Sequence, residues 1–280
     1  MNAKKVFLKA LLILSLLLVA LISLFPILYP LMSSFRTDQE IYQYNTVFQL
    51  HTLWPEKWTT EAYQQLFQVY HFERFFLNTF IVVGLIVPFS ILMCSVAAYA
   101  FTFYHFRGKK PLYALLLLTF MVPGEVIALP LYQVISGMGL INTYASLILP
   151  SLANGLTLFM YCQAFKDVPI SLLEAADLDG ASWFTCYRHV VMPLCVPTTI
   201  AMCLMTFVNE WNNYLWPLLA ARKDEVKTIT VAITAFKEEN VVHWNLIYSS
   251  SILSAIVPVL LFLPFQKYFV SGIASGSVKG

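Results

Sequence analysis

Residues Asn78–Phe103 read NTFIVVGLIVPFSILMCSVAAYAFTF, and none of these 26 positions is charged. A helix that rises about 1.5 Å per residue needs about 20 such positions to cross a hydrocarbon core of about 30 Å. Five further apolar blocks of similar length occur: Phe7–Met32, Leu112–Leu131, Tyr144–Phe165, Val196–Ala221 and Leu246–Phe265. The sequence therefore predicts an all-α, polytopic membrane protein with six transmembrane helices.

The composition agrees with a chain whose solvent is lipid. Of its 280 residues, 59% are hydrophobic and 11% are charged, whereas soluble domains carry roughly 25% charged residues. The net charge of +2 is too small to indicate a nucleic-acid partner. Membrane lipid is therefore expected around the chain, and nucleic acid is not.

The basic residues predict the orientation of the chain. Lys4, Lys5 and Lys9 precede the first block, and Arg107–Lys110 precedes the third. The positive-inside rule places both groups in the cytoplasm, and six spans return the chain to the same side. We expect a multi-pass protein of the cytoplasmic (inner) membrane with both termini cytoplasmic. The first block exceeds the usual h-region of a signal peptide and is interpreted as a retained signal-anchor helix.

The connections between the blocks predict three parts. Residues 1–69 would hold the first transmembrane helix and an extracytoplasmic connection. Residues 70–267 would form a core of five transmembrane helices, with a cytoplasmic hairpin at 168–193, and residues 268–280 a cytoplasmic tail. The connection between the fourth and fifth blocks is too long for a simple turn, so it is expected to have a structure and a role of its own.

A helical hairpin is predicted in that connection. Ser171 and Glu174 have the spacing of a capping box at the start of a first helix. Gly180 allows the chain to leave this helix in a left-handed conformation. A second helix would then run from Ser182 to Val191 and stop at Pro193.

The hairpin has two interpretations on physical grounds alone. Ala175 and Ala176 keep one surface thin, so that another protein can approach closely, and Glu174, Asp177 and Asp179 offer charges to a basic partner. This would make it a docking element. Alternatively, it is an interfacial amphipathic hairpin that only links two spans.

Several motifs resemble one family. The run Glu174–Ala181 (EAADLDGA), followed by Val191-Met-Pro193, is similar to the EAA loop of ABC importer permeases, and the fuller EAADLDGAS resembles the carbohydrate branch. Three further stretches look like the maltose-type second permease: Ala97–Phe101 (AAYAF), Phe207–Pro217 (FVNEWNNYLWP) and Val270–Gly280 (VSGIASGSVKG). Val191-Met192 and Ser277 depart mildly from the pattern. The resemblance implies an ABC type I importer permease-like fold.

The resemblance also implies partners and a division of labour. In this family the EAA hairpin fits a groove on a separate ATPase, which gives an ATPase-coupling role to Glu174, Ala175, Ala176, Asp179, Gly180, Ala181 and Pro193. The expected assembly contains a homologous permease subunit, two ATPase subunits and an extracytoplasmic solute-binding protein. The chain lacks a G-x-x-x-x-G-K-[ST] motif. It is therefore expected to be a translocation subunit and not an enzyme, with no cofactor of its own and with ATP and Mg bound by the partner ATPase.

Polar side chains within apolar blocks predict a translocation pathway, because such groups are costly in lipid. The candidates are Glu125, Asn209, Glu210, Trp211, Asn212 and Asn213. Hydrogen-bonding groups beside aromatic rings suit sugar recognition. In the alternative interpretation, the tryptophans anchor the helix at the membrane interface and the amides bond neighbouring helices.

Other functions remain as alternatives. An ABC importer of a glycerol phosphate or another polar solute would have a similar permease. An ion-coupled secondary transporter would use Glu125 and Glu210 to relay protons. The scattered histidines give no metal-ligand spacing, so no metal site is predicted. The five cysteines lie in or beside apolar blocks and are interpreted as small core residues.

Overall fold

The structure is a computed structural model that describes residues 3–44, 49–237 and 241–277. Its α-helices are α1 Ala3–Ser33, α2 Asp38–Tyr44, α3 Leu50–Leu53, α4 Glu61–Gln68, α5 Phe72–Phe103, α6 Lys109–Met121, α7 Gly124–Gly137, α8 Tyr144–Ile148, α9 Gly155–Lys166, α10 Ile170–Leu178, α11 Trp183–Cys186, α12 Met192–Leu194, α13 Val196–Trp211, α14 Leu215–Ala220, α15 Ile229–Thr234 and α16 Trp244–Ser277. A 3₁₀ turn, Leu149–Ser151, follows α8, and a π-helical turn, Tyr187–Val191, joins α11 to α12.

The membrane spans agree with the all-α, six-span prediction. Among the described residues, the helical segments long and apolar enough to cross a membrane singly are Phe7–Ser33, Phe72–Phe103, Tyr144–Lys166 and Trp244–Phe265. Two bent pairs pass the same test together: Lys109–Thr119 with Gly124–Gly137, and Trp183–Leu194 with Val196–Trp211. With each pair counted as one span, the total is six.

The third predicted span, Leu112–Leu131, is not one continuous helix. Its two halves, α6 and α7, meet at an angle of 103°. The break lies at Val122, which is extended with φ −80° and ψ 122°, immediately before Pro123. Proline disfavours the helical conformation of the preceding residue and has no N–H to continue the hydrogen-bond ladder. The predicted span is therefore present as a bent pair of helices, with the bend at the proline.

The remaining spans differ from the predictions mainly in their ends. The fifth block was expected to be helical to Ala221, but α13 ends at Trp211 and a short helix, α14, follows. The last helix continues past the predicted core boundary at 267 to Ser277. The final three residues of the predicted tail, 278–280, lie outside the described residues.

The chain divides into two compact units, Met1–Glu73 with Ala232–Val257 and Arg74–Val231 with Pro258–Gly280. The first unit contains a buried arginine. Arg36 is only 1% exposed, and its guanidinium donates to the carbonyls of Thr52 at 2.9 Å and His51 at 2.6 Å. Its Nε lies 3.4 Å from Oε1 of Glu40, which also accepts the Glu56 N–H at 2.8 Å.

These bonds hold residues 51–56 against the start of the connection after α1. A buried charge is tolerated only where it is paired and hydrogen-bonded, and Arg36 obtains its two carbonyl partners from Thr52 and His51. Nearby, the Tyr44 hydroxyl donates to the carboxylate of Glu56, and this hydrogen bond raises the pKa of the Tyr44 phenol. Arg36, Glu40 and Glu56 therefore link two described segments of the first unit, 36–44 and 49–56.

The second unit holds the main apolar core. Residues of α5, α9, the hairpin region and α13 share one cluster, which includes Ala98, Tyr161, Phe165, Val191 and Met202. Four of the five cysteines are buried and all five are free thiols, which confirms the interpretation of small core residues. The hairpin is thus built on the same core that packs the spanning helices.

Candidate functional site

The first arm of the hairpin is α10, which begins earlier than predicted. Pro169 occupies the N-cap position with φ −61° and ψ 125°, and Ser171 lies inside the helix without a capping hydrogen bond. The predicted capping box between Ser171 and Glu174 is therefore wrong. Proline has a fixed φ and no N–H that needs a partner, so a helix can begin directly after it.

The turn between the arms matches the prediction. Gly180 has φ +77°, the left-handed conformation that glycine adopts without strain. The N–H of Ala181 donates to the carbonyl of Ala176 at 3.0 Å, and the N–H of Gly180 donates to that of Asp177 at 3.0 Å. These two bonds form a Schellman motif, which satisfies the last carbonyls of α10.

The second arm is longer and less regular than predicted. Ser182 caps it by accepting the N–H of Thr185 at 3.2 Å. The helical run then continues through Pro193 to Leu194, so the prediction that Pro193 stops it is wrong. The π-helical turn directly before the proline provides the reason, since Met192 donates to Tyr187, five residues earlier, and the ladder shifts where the proline N–H is missing.

The base of the hairpin is fixed to the core. Leu173, Cys186 and Val191 are buried in it. The Tyr187 hydroxyl lies 2.8 Å from Oγ of Ser95 on α5, and its ring packs edge-on against Tyr99 with centroids 5.8 Å apart. A force on the hairpin is therefore transmitted directly to α5.

The opposite side of the hairpin is open. Among the predicted coupling residues, Glu174, Ala175, Asp179, Gly180 and Pro193 are exposed, and Ala176 and Ala181 are half-buried. Leu178 is 90% exposed at the end of α10, and Trp183 is 52% exposed. Contiguous exposed apolar side chains mark interaction surfaces. The sequence analysis missed Leu178 and Trp183, although Leu178 lies within the quoted motif and Trp183 follows it by two residues.

A cavity of about 270 Å³ lies beside the first arm. The rings of Tyr99, Phe103, Tyr104 and Trp183 line it together with Glu174 and Asp177. Two carboxylates next to aromatic faces favour a cationic group, since rings attract guanidinium and ammonium ions. The site can therefore accept a basic side chain from a partner.

The six predicted pathway residues do not form one cluster. Glu125 is exposed in the first turn of α7. Trp211 is 1% exposed, with its ring stacked on Phe207 at 5.4 Å and met edge-on by Phe80 at 5.1 Å. Its ring is therefore part of the aromatic packing at the end of α13.

The polar groups next to Trp211 bond within the chain. Nδ2 of Asn212 donates to the Val208 carbonyl at 2.8 Å, and Nδ2 of Asn213 donates to Oε2 of Glu210 at 3.4 Å. The carbonyl of Asn213 accepts the Thr230 hydroxyl at 2.7 Å. These hydrogen bonds fix the C-terminal end of α13 and the residues that follow it.

Asn209, the remaining candidate, lines a larger cavity of about 480 Å³. The cavity lies among α9, α13 and α16, and its polar lining also includes Asn154, Thr157 and Thr206. Sequence reasoning missed these three residues, because a threonine or asparagine at helical spacing carries no signal that tells a lining position from a packed one.

Comparison with known proteins matches the chain to one protein family. The family described as "Binding-protein-dependent transport system inner membrane component" matches residues 86–275. An arabinooligosaccharide transport permease of Halalkalibacterium halodurans is 29% identical over 94% of this chain and 93% of its own. A melibiose/raffinose/stachyose import permease of Bacillus subtilis is 33% identical over 73% and 75%.

Two further similarities concern another solute and the fold. An sn-glycerol-3-phosphate transport permease of Rhizobium meliloti is 34% identical over 72% of each chain. Among solved structures, a bacterial ABC transporter that imports the acidic polysaccharide alginate contains a chain with a TM-score of 0.81 and 21% identity, covering 96% of this chain and 99% of that one. At that identity the likeness concerns the fold.

Proposed function

The chain belongs to the family of binding-protein-dependent transport system inner membrane components, and from this premise we propose that it imports an oligosaccharide or glycoside. It is a multi-pass permease subunit of an ABC importer. The ion-coupled alternative with Glu125 and Glu210 is not retained, because the family works with a solute-binding protein.

The observation that carries the coupling part of the proposal is the hairpin. Its base is packed into the core, while its far side presents Glu174 and the 90% exposed Leu178. We propose that this side enters a groove of an ATPase subunit that binds ATP and Mg, and that Glu174 meets a basic side chain there. Two such ATPases and a homologous permease would complete the assembly with the solute-binding protein.

A neutral sugar is favoured over a glycerol phosphate. Two relatives that match over 94% of the chain are arabinooligosaccharide transport permeases. In addition, the residues that line the cavity among α9, α13 and α16 are all uncharged, whereas phosphate recognition commonly uses arginine or lysine. The lining therefore suits hydroxyl groups better than a phosphate dianion.

The transport proposal is tested in proteoliposomes. The chain is reconstituted with a homologous permease, an ATPase and a solute-binding protein, and uptake of labelled raffinose, arabinotriose and sn-glycerol 3-phosphate is measured with and without ATP. We expect ATP-dependent uptake of at least one of the two sugars. Uptake of glycerol phosphate alone would replace the proposed solute class, and ATP-independent uptake would contradict the coupling.

We also propose that both termini and the hairpin are cytoplasmic, and cysteine labelling tests this. Single cysteines at the exposed positions Lys57 and Lys237 should react with an impermeant maleimide added outside intact cells, while a cysteine at exposed Lys110 should react only after lysis. The background carries none of the native cysteines. Labelling at Lys110 from outside would invert the orientation.

A further inference from the structure

The cavity of about 480 Å³ among α9, α13 and α16 has four polar side chains in its lining. Thr157 and Thr206, on α9 and α13, are 2% and 4% exposed. Asn154 and Asn209 are the other two. The volume lies within the range of about 300–1,000 Å³ that is typical of ligand sites.

The threonines of this lining have unused hydrogen-bonding capacity. Several threonines in spanning helices donate to the carbonyl four residues earlier, as Thr79 does to Phe75 at 2.8 Å and Thr102 to Ala98 at 2.8 Å. Within the described part of the chain, the hydroxyl of Thr206 makes no such bond although it lies in mid-helix.

The neighbouring groups are free in the same way. Within the described ranges, the Thr157 hydroxyl and the Asn209 amide have no hydrogen-bond partner. Asn154 uses only its Oδ1, which accepts the Thr157 N–H at 2.9 Å. The hydroxyls of Thr157 and Thr206 are therefore available to a polar ligand in the cavity, and the exposed Asn209 adds an amide to the same lining.

The rest of the lining is apolar and includes Met202, Met205, Pro258, Leu261 and Phe262. A sugar ring has hydroxyl groups around its edge and C–H groups on its faces. A cavity whose lining offers both hydrogen-bonding and apolar groups matches both. A lipid acyl chain would leave the polar groups of the lining unused.

We propose that this cavity is a specificity-determining subsite for one neutral glycosyl unit of the transported solute. Thr157, Thr206 and Asn209 hydrogen-bond its hydroxyls while the apolar side chains of the lining pack against a face of the ring. The proposal rests on the proposed function and deepens it, since it gives this subunit a direct part in solute recognition.

The test compares Thr157→Val/Thr206→Val with Thr206→Ser in the proteoliposome system described above. Valine keeps the shape of threonine without the hydroxyl, while serine keeps the hydroxyl. The readout is the amount of sugar imported per ATP hydrolysed, with whichever of raffinose and arabinotriose the wild type imports. Thr198→Val on the same helix, outside the cavity lining, is the matched control.

We expect the double valine variant to import about tenfold less sugar per ATP, because each lost hydrogen bond is worth roughly 0.5 to 1.5 kcal/mol. Thr198→Val should stay within about twofold of wild type, and Thr206→Ser should lose clearly less import than the double valine variant. Unchanged import per ATP in the double variant would overturn the subsite. An equal loss in Thr206→Ser would also overturn it, since packing would then be responsible. If the wild type itself imports neither sugar, the proposed function fails instead.

Discussion

Glu174→Ala should leave the chain inserted in the membrane and weaken its association with the ATPase by about 30-fold or more. Removing one partner of a buried, hydrogen-bonded charge pair costs roughly 2 to 5 kcal/mol, and 2 kcal/mol corresponds to about 30-fold in Kd. Glu174 is exposed in the isolated chain and lines the acidic, aromatic cavity beside the first arm. Its removal therefore affects the partner contact more than the fold.

The measurement is the amount of ATPase that co-purifies with the tagged permease, together with ATP-dependent uptake. Glu174→Gln separates charge from hydrogen bonding, because the amide can still accept one bond. Glu225→Ala removes an exposed carboxylate from another part of the second unit and serves as the control. Normal ATPase recovery with unchanged uptake in Glu174→Ala would contradict the coupling role.

Gly180→Val should lower sugar import by about 5- to 30-fold. A non-glycine residue in the left-handed conformation costs roughly 1 to 2 kcal/mol, which reduces the population of the native turn by about that factor. A Cβ at Gly180 would meet no heavy atom within 4 Å, so the expected loss comes from backbone strain. The second arm would leave α10 in a changed direction and fit its groove poorly.

Gly180→Asn is the informative comparison, because asparagine adopts the left-handed conformation more readily than other residues with a side chain. Sugar import should be highest in the wild type, lower in Gly180→Asn and lowest in Gly180→Val. The amount of ATPase that co-purifies with the permease should follow the same order. If asparagine is as harmful as valine, the close approach of a partner surface, and not the turn, requires glycine here.

The sequence predicts the architecture well because the signals behind it are local. Six apolar blocks give six spans, and Gly180 gives the left-handed turn, since both depend on residues that are adjacent in the chain. The errors at the helix ends arise where two local signals compete. Pro169 prevails over Ser171 as the start of α10, and Pro123 divides a run whose apolarity alone predicts one helix.

The pathway residues could be predicted only in part. FVNEWNNYLWP concentrates polar and aromatic residues in eleven positions, but helical geometry sends them in different directions: Trp211 enters the aromatic packing, while Asn209 faces a cavity. Thr157 lies about 50 residues away from Asn209 in sequence, and only tertiary packing brings the two into the lining of the same cavity. The spacing of residues along one helix cannot predict a contact of this kind.

The bend at Cys195 has a mechanical consequence. One buried residue separates the hairpin's second arm from α13, and the two helices meet there at 82°. When the two helices rotate together about Cys195, α13 moves as the longer arm of a lever. Thr206 lies eleven residues from this pivot along the lever, or about 16 Å at about 1.5 Å per residue. A tilt of the lever by about 5° displaces Thr206 by about 1.4 Å, enough to make or break a hydrogen bond.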